Sequence, residues 1–138
     1  MTYLALDVGT RRIGVAVGST DLRLATPLAV IRRDRLETDA AQVRALAEQY
    51  DAERVVVGLP QELDGTIGVQ AQRIMDYATR LQSLVARPFE FFDERYSTAQ
   101  ALAQRREMGV NEKRGRATID AAAAAIILQD FFNAAGQG

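Results

Sequence analysis

The hydrophobic pattern of the first 32 residues predicts three β-strands joined by short turns. Apolar and β-branched residues fill positions 3–8, 12–18 and 24–32, and clusters of Gly, Asp and Thr separate the three runs. Turns this short connect antiparallel strands. The chain is therefore expected to begin with a three-stranded antiparallel sheet.

A helical period follows the third strand. Val43, Leu46, Ala47 and Tyr50 recur at intervals of three and four residues, which places them on one face of a helix. Residues 55–57 are three valines in succession, a pattern typical of a central parallel strand that is covered on both faces. The chain thus changes from hairpins to an alternation of helices and strands.

The second half of the chain continues this alternation. An apolar stripe predicts a helix over about 68–86, and the segment PFEFFDE at 88–94 predicts a fifth strand. The pattern S-x-x-Q at 97–100 is a capping box that starts a third helix, which should end at Gly109. A last helix is predicted over about 118–133.

The order β-β-β-α-β-α-β-α-α predicts an α/β protein in which a mixed five-stranded sheet is flanked by helices. The first three strands are expected to be antiparallel and the last two parallel. We expect one domain over residues 1–133 and a short polar tail at 134–138, because 138 residues suffice for a single hydrophobic core.

Composition restricts the chemistry that this protein can use. It has no His and no Cys, so imidazole bases, thiolate nucleophiles and the usual zinc sites are excluded, and any catalysis must use carboxylates. The net charge of −1 means that a basic surface for nucleic acid would have to be local. No apolar stretch reaches the roughly 20 residues of a membrane-spanning helix, and the amino terminus has no secretory signal. We therefore expect a soluble protein that is not secreted and has no membrane partner.

Acidic residues lie at the ends of three predicted elements. Asp7 ends the first strand, Asp93 and Glu94 end the fifth, and Asp120 lies at the start of the last helix. If these acids meet at one edge of the sheet, they form a site for Mg²⁺ or Mn²⁺ and for phosphodiester hydrolysis. Taken singly, Asp120 also fits a helix-start residue, and Asp93 or Glu94 fits a solvated strand end. Asp7 is the strongest candidate, because an acid that ends an apolar strand is expensive to desolvate unless it is paired or metal-bound.

Four segments of the chain carry a resemblance to a known family. They are DVGTRRIGVAVG at 7–18, VVVGLPQELDGTIG at 55–68, DERYSTAQA at 93–101 and DAAAAAIILQDFF at 120–132. Together they resemble the YqgF/RuvX family of bacterial proteins, which are similar to Holliday junction resolvases and are also called pre-16S rRNA nucleases.

The resemblance implies a ribonuclease-H-like fold and a divalent-metal nuclease that acts in the cytoplasm. It also implies that the catalytic and metal-binding residues are Asp7, Glu94 and Asp120. Strand alternation sends Asp93 and Glu94 to opposite faces, so one of them points at the metal, and the sequence does not fix which. We choose Glu94.

Basic residues near these acids are candidates for phosphate contacts. A Gly-containing loop before Asp120 carries three cations, two arginines follow Asp7 in a hairpin, and Arg95 follows Glu94. Each group also fits ordinary surface charges, and Arg95 could equally pair with Asp93. The predicted nucleic-acid-binding residues are Arg11, Arg12, Arg95, Lys113, Arg114 and Arg116.

Three functions follow from these observations. The first is a metal-dependent nuclease for structured nucleic acid, with the 5′ end of pre-16S ribosomal RNA as the foremost substrate and a four-way DNA junction as the alternative. The second is an ATP-binding protein, because D-x-G-T at 7–10 resembles the phosphate loop of sugar kinases and actin, although those proteins bind nucleotide between two lobes. The third is a non-catalytic, RNA-binding ribosome-assembly factor. The sequence does not decide between a monomer and a homodimer.

Overall fold

A computed structural model describes residues 1–60, 68–93 and 113–136 of the chain, and within the last range it describes the side chains of residues 119–135. In these ranges the chain forms β1 (Thr2–Val8), β2 (Arg12–Ser19), β3 (Leu24–Arg32), α1 (Leu36–Gln49), β4 (Arg54–Leu59), α2 (Val69–Val85), β5 (Phe89–Asp93) and α3 (Lys113–Gly136).

The strands of the described ranges form one mixed sheet in the order β3-β2-β1-β4-β5. β1 pairs antiparallel with β2, and β2 pairs antiparallel with β3. β4 and β5 run parallel to β1. The predicted topology is confirmed, and the carboxyl ends of β1, β4 and β5 consequently lie at the same edge of the sheet.

Helices cover the sheet on both faces. Alternation along β1 sends Leu4, Leu6 and Val8 into a core with α1 and α2, whereas Tyr3 and Ala5 pack against α3 on the other face. The three consecutive valines of β4 are fully buried, because their neighbours on both faces are helices. The sheet is therefore the middle layer of the described structure.

The apolar stripe predicted for α2 is confirmed, since its buried residues are Ala71, Ile74, Ala78, Leu81 and Val85.

Helix α1 also packs with its predicted face toward the sheet, but it ends earlier than its stripe suggested. Val43 and Ala47 are buried, whereas Tyr50 lies just beyond the last helical residue and is 37% exposed. Asp51 has a φ of 54°, in the left-handed region, and this conformation takes the chain out of the helix. The buried face of α1 also contains an acid, Asp39.

Helix α3 begins earlier than the sequence predicted. The expected loop at Lys113, Arg114 and Arg116 is wrong, because these residues form the first turns of α3. Arg and Lys are good helix formers, and the single Gly115 lowers helix stability by about 1 kcal/mol without ending the helix. Asp120 consequently lies inside the helix rather than in its first turn, and capping does not explain its position.

The helix predicted over 97–109 lies outside the described residues. Helix α3 continues to Gly136, past the end predicted at residue 133. The division into a domain over 1–133 and a tail over 134–138 stays a prediction. None of the helices in the described ranges has the length and apolar character that crossing a membrane requires.

Candidate functional site

Asp7 lies near the carboxyl end of β1, directly opposite Gly14 of β2. Its neighbours Leu6 and Val8 face the core of α1 and α2, so alternation points the Asp7 side chain to the α3 face. This side chain is partly exposed. Asp7 therefore presents a carboxylate at the sheet edge where the parallel strands end.

Gly14 brings the backbone of Asp120 against β2. A Cβ on Gly14 would overlap the carbonyl carbon and oxygen of Asp120 and would lie 3.1 Å from the backbone nitrogen of Ala121. Paired residues of antiparallel strands have Cα atoms about 4.5–5.5 Å apart, so the Asp7 Cα lies within roughly 9 Å of the Asp120 carbonyl oxygen. The structure thus brings together two of the three acids that the sequence selected.

The Asp120 carboxylate forms an ion pair with Arg12. Nε of Arg12 donates a hydrogen bond to Oδ2 of Asp120 over 2.6 Å. The Asp120 side chain is 0% exposed, and that of Arg12 is 26% exposed. A buried carboxylate is costly unless a counter-charge and hydrogen bonds satisfy it. Arg12 supplies both to Asp120 from the edge of the interface between β2 and α3.

The orientation of β5 assigns Asp93, the acid at its end, to one face of the sheet. The rings of Phe92 and Phe131 of α3 lie 5.8 Å apart, so Phe92 faces α3, whereas Phe89 packs in the core with α1 and α2. Alternation then places Asp93 on the α1 and α2 face, opposite to the face of Asp7. Glu94 lies outside the described residues, and its place beside Asp7 stays a prediction.

The donor set at the α3 face suits a hard divalent cation. Asp7 and Asp120 offer carboxylate oxygens, which Mg²⁺ and Mn²⁺ prefer, and such ions commonly take one or two protein carboxylates. Residues 1–60, 68–93 and 113–136 contain no group of three acids that could hold a metal ion. A third protein carboxylate would therefore have to come from elsewhere in the chain.

The predicted nucleic-acid-binding residues have different surroundings. Arg11 is exposed in the turn between β1 and β2, whereas Arg12 is engaged by Asp120. Arg116 precedes Asp120 by about one turn of α3, after Lys113 and Arg114 in the same helix. Arg95 lies outside the described residues.

A buried network on the opposite face of the sheet was not predicted from the sequence. Oη of Tyr77 donates to Oδ2 of Asp39 over 2.6 Å, and the backbone nitrogen of Asp34 donates to Oδ1 over 2.9 Å. Burial and the hydrogen bond to Asp39 raise the pKa of Tyr77 well above its ordinary value. Asp39 is 1% exposed and is stabilised by these two donors.

The same network reaches the turn that follows Asp7. The guanidinium of Arg33 lies 3.9 Å from the centre of the Tyr77 ring, and its Nη1 donates to the Gly9 carbonyl oxygen over 2.7 Å. Part of this network has a signal in the sequence, because Asp39, Val43 and Ala47 are spaced at four residues and lie on the same buried face of α1. The network therefore connects α1 and α2 to the loop beside the candidate site.

Comparison with known proteins gives consistent matches along the chain. The profile of the RuvX family, described as Holliday junction resolvase, matches residues 1–134. A protein of Chloroflexus aurantiacus is 43% identical over 131 residues, which cover 95% of this chain and 86% of the relative. A protein of Moorella thermoacetica is 39% identical over 137 residues, which cover 99% and 98% of the two chains. Both relatives carry the provisional name pre-16S rRNA nuclease.

Solved structures show the fold. RuvC of Thermus thermophilus in complex with a Holliday junction aligns with a TM-score of 0.59 and 19% identity, covering 99% of this chain and 96% of that one. The Fowlpox virus resolvase bound to Holliday junction DNA aligns with a TM-score of 0.53 and 9% identity, covering 98% and 99%. The predicted ribonuclease-H-like fold is confirmed by these likenesses.

Proposed function

Because this chain belongs to the RuvX family, we propose that it is a nuclease that hydrolyses phosphodiester bonds of structured nucleic acid. The 5′ end of pre-16S ribosomal RNA is the foremost substrate, since the similar proteins are named for pre-16S rRNA. A nuclease with this substrate would act in the cytoplasm, where ribosomal RNA precursors are processed.

The proposed catalytic and metal-binding residues are Asp7, Glu94 and Asp120. The observation that supports Asp7 and Asp120 is the pairing of Asp7 with Gly14, against which the backbone of Asp120 packs, at the edge where the parallel strands end. In a chain without His or Cys, carboxylates are the groups best suited to act as acid and base near neutral pH. Mg²⁺ or Mn²⁺, when bound there, supplies an activated water and stabilises the departing oxygen.

Cationic side chains around these acids position the substrate in this proposal. Arg12 holds the buried Asp120 carboxylate in the free protein and lies close to where a phosphodiester would reach Asp7. The other cations neutralise phosphates along the backbone without reading the sequence. They are Arg11, Arg95, Lys113, Arg114 and Arg116.

A four-way DNA junction is the second candidate substrate. The matching family profile is described as Holliday junction resolvase, and this description supports the junction as directly as the names of the relatives support ribosomal RNA. Both substrates would use the same carboxylates, because each reaction is the hydrolysis of a phosphodiester. The two candidates differ in which nucleic acid fits the surface around the site.

A cleavage assay tests both substrates together. Purified protein is incubated with a labelled pre-16S RNA fragment and with a labelled four-way DNA junction, in Mg²⁺, in Mn²⁺ and in EDTA. We expect cleavage that requires metal, and a loss of about 100-fold or more in Asp7→Asn, since even groups that only orient metal ligands contribute 10- to 100-fold. Asp21→Asn is the matched control, because the Asp21 side chain is 85% exposed in the turn after β2.

The outcomes separate the remaining functions. Cleavage in EDTA, or full activity of Asp7→Asn, would refute the metal-dependent mechanism. RNA binding that is unaffected by EDTA and by Asp7→Asn, with no cleavage under any condition, would instead indicate a ribosome-assembly factor. Light scattering on the same samples determines whether the active species is a monomer or a homodimer.

A further inference from the structure

A pocket of about 640 Å³ opens on the α1 and α2 side of the turn that follows Asp7. It lies on the face of the sheet opposite to Asp7 and Asp120, but at the same edge. Among the described residues, the turn after β1, the residue that follows β3 and the first turns of α2 line this pocket. The lining residues used below are Val8, Gly9, Thr10, Arg33, Arg73 and Ile74.

One of the two arginines in this pocket is held in place. Arg33 donates from Nη1 to the Gly9 carbonyl oxygen over 2.7 Å, and its guanidinium lies over the Tyr77 ring at 3.9 Å. Tyr77 is in turn held by its hydrogen bond to buried Asp39. A guanidinium fixed by such contacts loses little conformational entropy when it binds an anion.

The other arginine is a surface cation. Arg73 is exposed on α2, and it forms no ion pair with any residue in the described part of the chain. None of the described residues that line the pocket is acidic. The described part of the wall therefore combines two positive charges with apolar surface from Val8 and Ile74, which suits a ligand that is anionic at one end and apolar at the other.

We propose that this pocket binds the phosphate group of a nucleotide unit, with Arg33 and Arg73 as its ligands and the apolar walls beside the sugar or base. The choice of a nucleic-acid strand as the source of that phosphate rests on the proposed function. The turn after β1 separates the pocket from Asp7, so a strand that crosses this edge of the sheet has one phosphate at Asp7 and a nearby phosphate in the pocket.

Binding is measured without turnover, by amide NMR shifts of the whole chain in EDTA. The probes are adenosine 5′-monophosphate, adenosine, and a short single-stranded RNA. The monophosphate and the RNA should shift the amides of Gly9 and Thr10, whereas adenosine should not. Arg73→Ala should weaken binding by about ten-fold, as expected for loss of a charge-assisted hydrogen bond. Arg80→Ala, two turns further along α2 and also exposed, should bind as the unchanged protein does.

Each outcome decides the proposal. Shifts by RNA that depend on Arg73, with or without shifts by the monophosphate, support a strand as the source, and shifts by the monophosphate alone support a free nucleotide. The proposal is overturned if neither probe shifts these amides, if adenosine shifts them equally, or if Arg73→Ala binds without loss. The failure of the nuclease proposal is a different observation, because it would appear as unchanged cleavage by Asp7→Asn.

Discussion

The carbonyl oxygen of Asp120 occupies the space that a Cβ on Gly14 would need. Helix α3 therefore lies directly on β2 at the residue that pairs with Asp7. A side chain at position 14 must push α3 away from the sheet and move the Asp120 carboxylate with it. The geometry of the two acids depends on this glycine as much as on the acids themselves.

Gly14→Ala should lower the free energy of unfolding by about 1–3 kcal/mol, the usual effect of overpacking a tight interface. It should also lower cleavage by the folded protein about ten-fold or more, because small displacements of catalytic groups have large effects. Urea denaturation and the cleavage assay, at a temperature where the variant is folded, check the two effects.

Gly18→Ala is the matched control for this substitution. A Cβ on Gly18 would lie 2.5 Å from the Leu24 carbonyl oxygen and 2.9 Å from the Phe132 ring, at the other end of the interface between β2 and α3. This variant should lose stability but retain cleavage per folded molecule. An equal loss of cleavage in both variants would mean that Gly14 has no special relation to the site.

Arg12→Ala should destabilise the metal-free protein by about 1–3 kcal/mol, because it removes the guanidinium that pairs with the buried Asp120 carboxylate. Mn²⁺ should stabilise this variant more than it stabilises the unchanged protein, since the cation replaces the missing charge. Denaturation in EDTA and in Mn²⁺ measures both effects. Arg32→Ala is the control, because it removes an exposed arginine from the position of β3 that pairs with Arg12; it should change neither the stability in EDTA nor the effect of Mn²⁺. An Arg12→Ala protein that is as stable in EDTA as the unchanged protein would contradict the role of the ion pair.

Asp93→Asn should leave cleavage unchanged, whereas Glu94→Gln should reduce it. Asp93 lies on the face that Phe92 does not occupy, away from Asp7, so its amide variant should cleave normally. Glu94→Gln should lose cleavage about 100-fold or more, as a metal ligand would. Rates for both variants on the same RNA and DNA substrates decide the assignment, and an inactive Asp93→Asn with an active Glu94→Gln would reverse it.

Tyr77→Phe should lower the free energy of unfolding at pH 7 by about 1–2 kcal/mol, because buried Asp39 loses a hydrogen-bond donor. The folded-state pKa of Tyr77 is raised above its ordinary value of 10.0, so the neutral form stabilises the fold. That stabilisation is complete below pH 10 and is lost as the pH rises further.

The pH dependence gives this prediction a second measurement. Denaturation between pH 7 and pH 11 should show a steeper loss of stability above pH 10 in the unchanged protein than in Tyr77→Phe. Tyr50→Phe removes a hydroxyl from an exposed ring and serves as the control. Tyr50→Phe should lose stability above pH 10 as steeply as the unchanged protein. If Tyr77→Phe does so too, the link between Tyr77 and Asp39 is not the cause of that loss.

The sequence predicted the parts of this structure that depend on local periodicity. The hairpins of β1 to β3, the buried valines of β4 and the stripe of α2 each follow from the spacing of apolar residues. The position of Asp7 at a strand end follows from the same pattern. These features need no information about residues far away in the chain.

The features that the sequence did not predict depend on distant contacts. Arg12 and Asp120 are 108 positions apart, and no local pattern links them. Strand alternation predicted that Asp93 and Glu94 face opposite ways, but the contact of Phe92 with α3 was needed to assign Asp93 to a face. The glycine at 115 suggested a loop, yet the structure continues α3 through it, because one weak helix former does not outweigh its neighbours.

The two described acids of the proposed active site come from the first and the last element of the described ranges. Asp7 belongs to β1, and Asp120 belongs to α3. An unfinished polypeptide on a translating ribosome has no Asp120 to set beside Asp7. If the protein cuts ribosomal RNA precursors, its site can assemble only after α3 has been synthesised and has packed on β2.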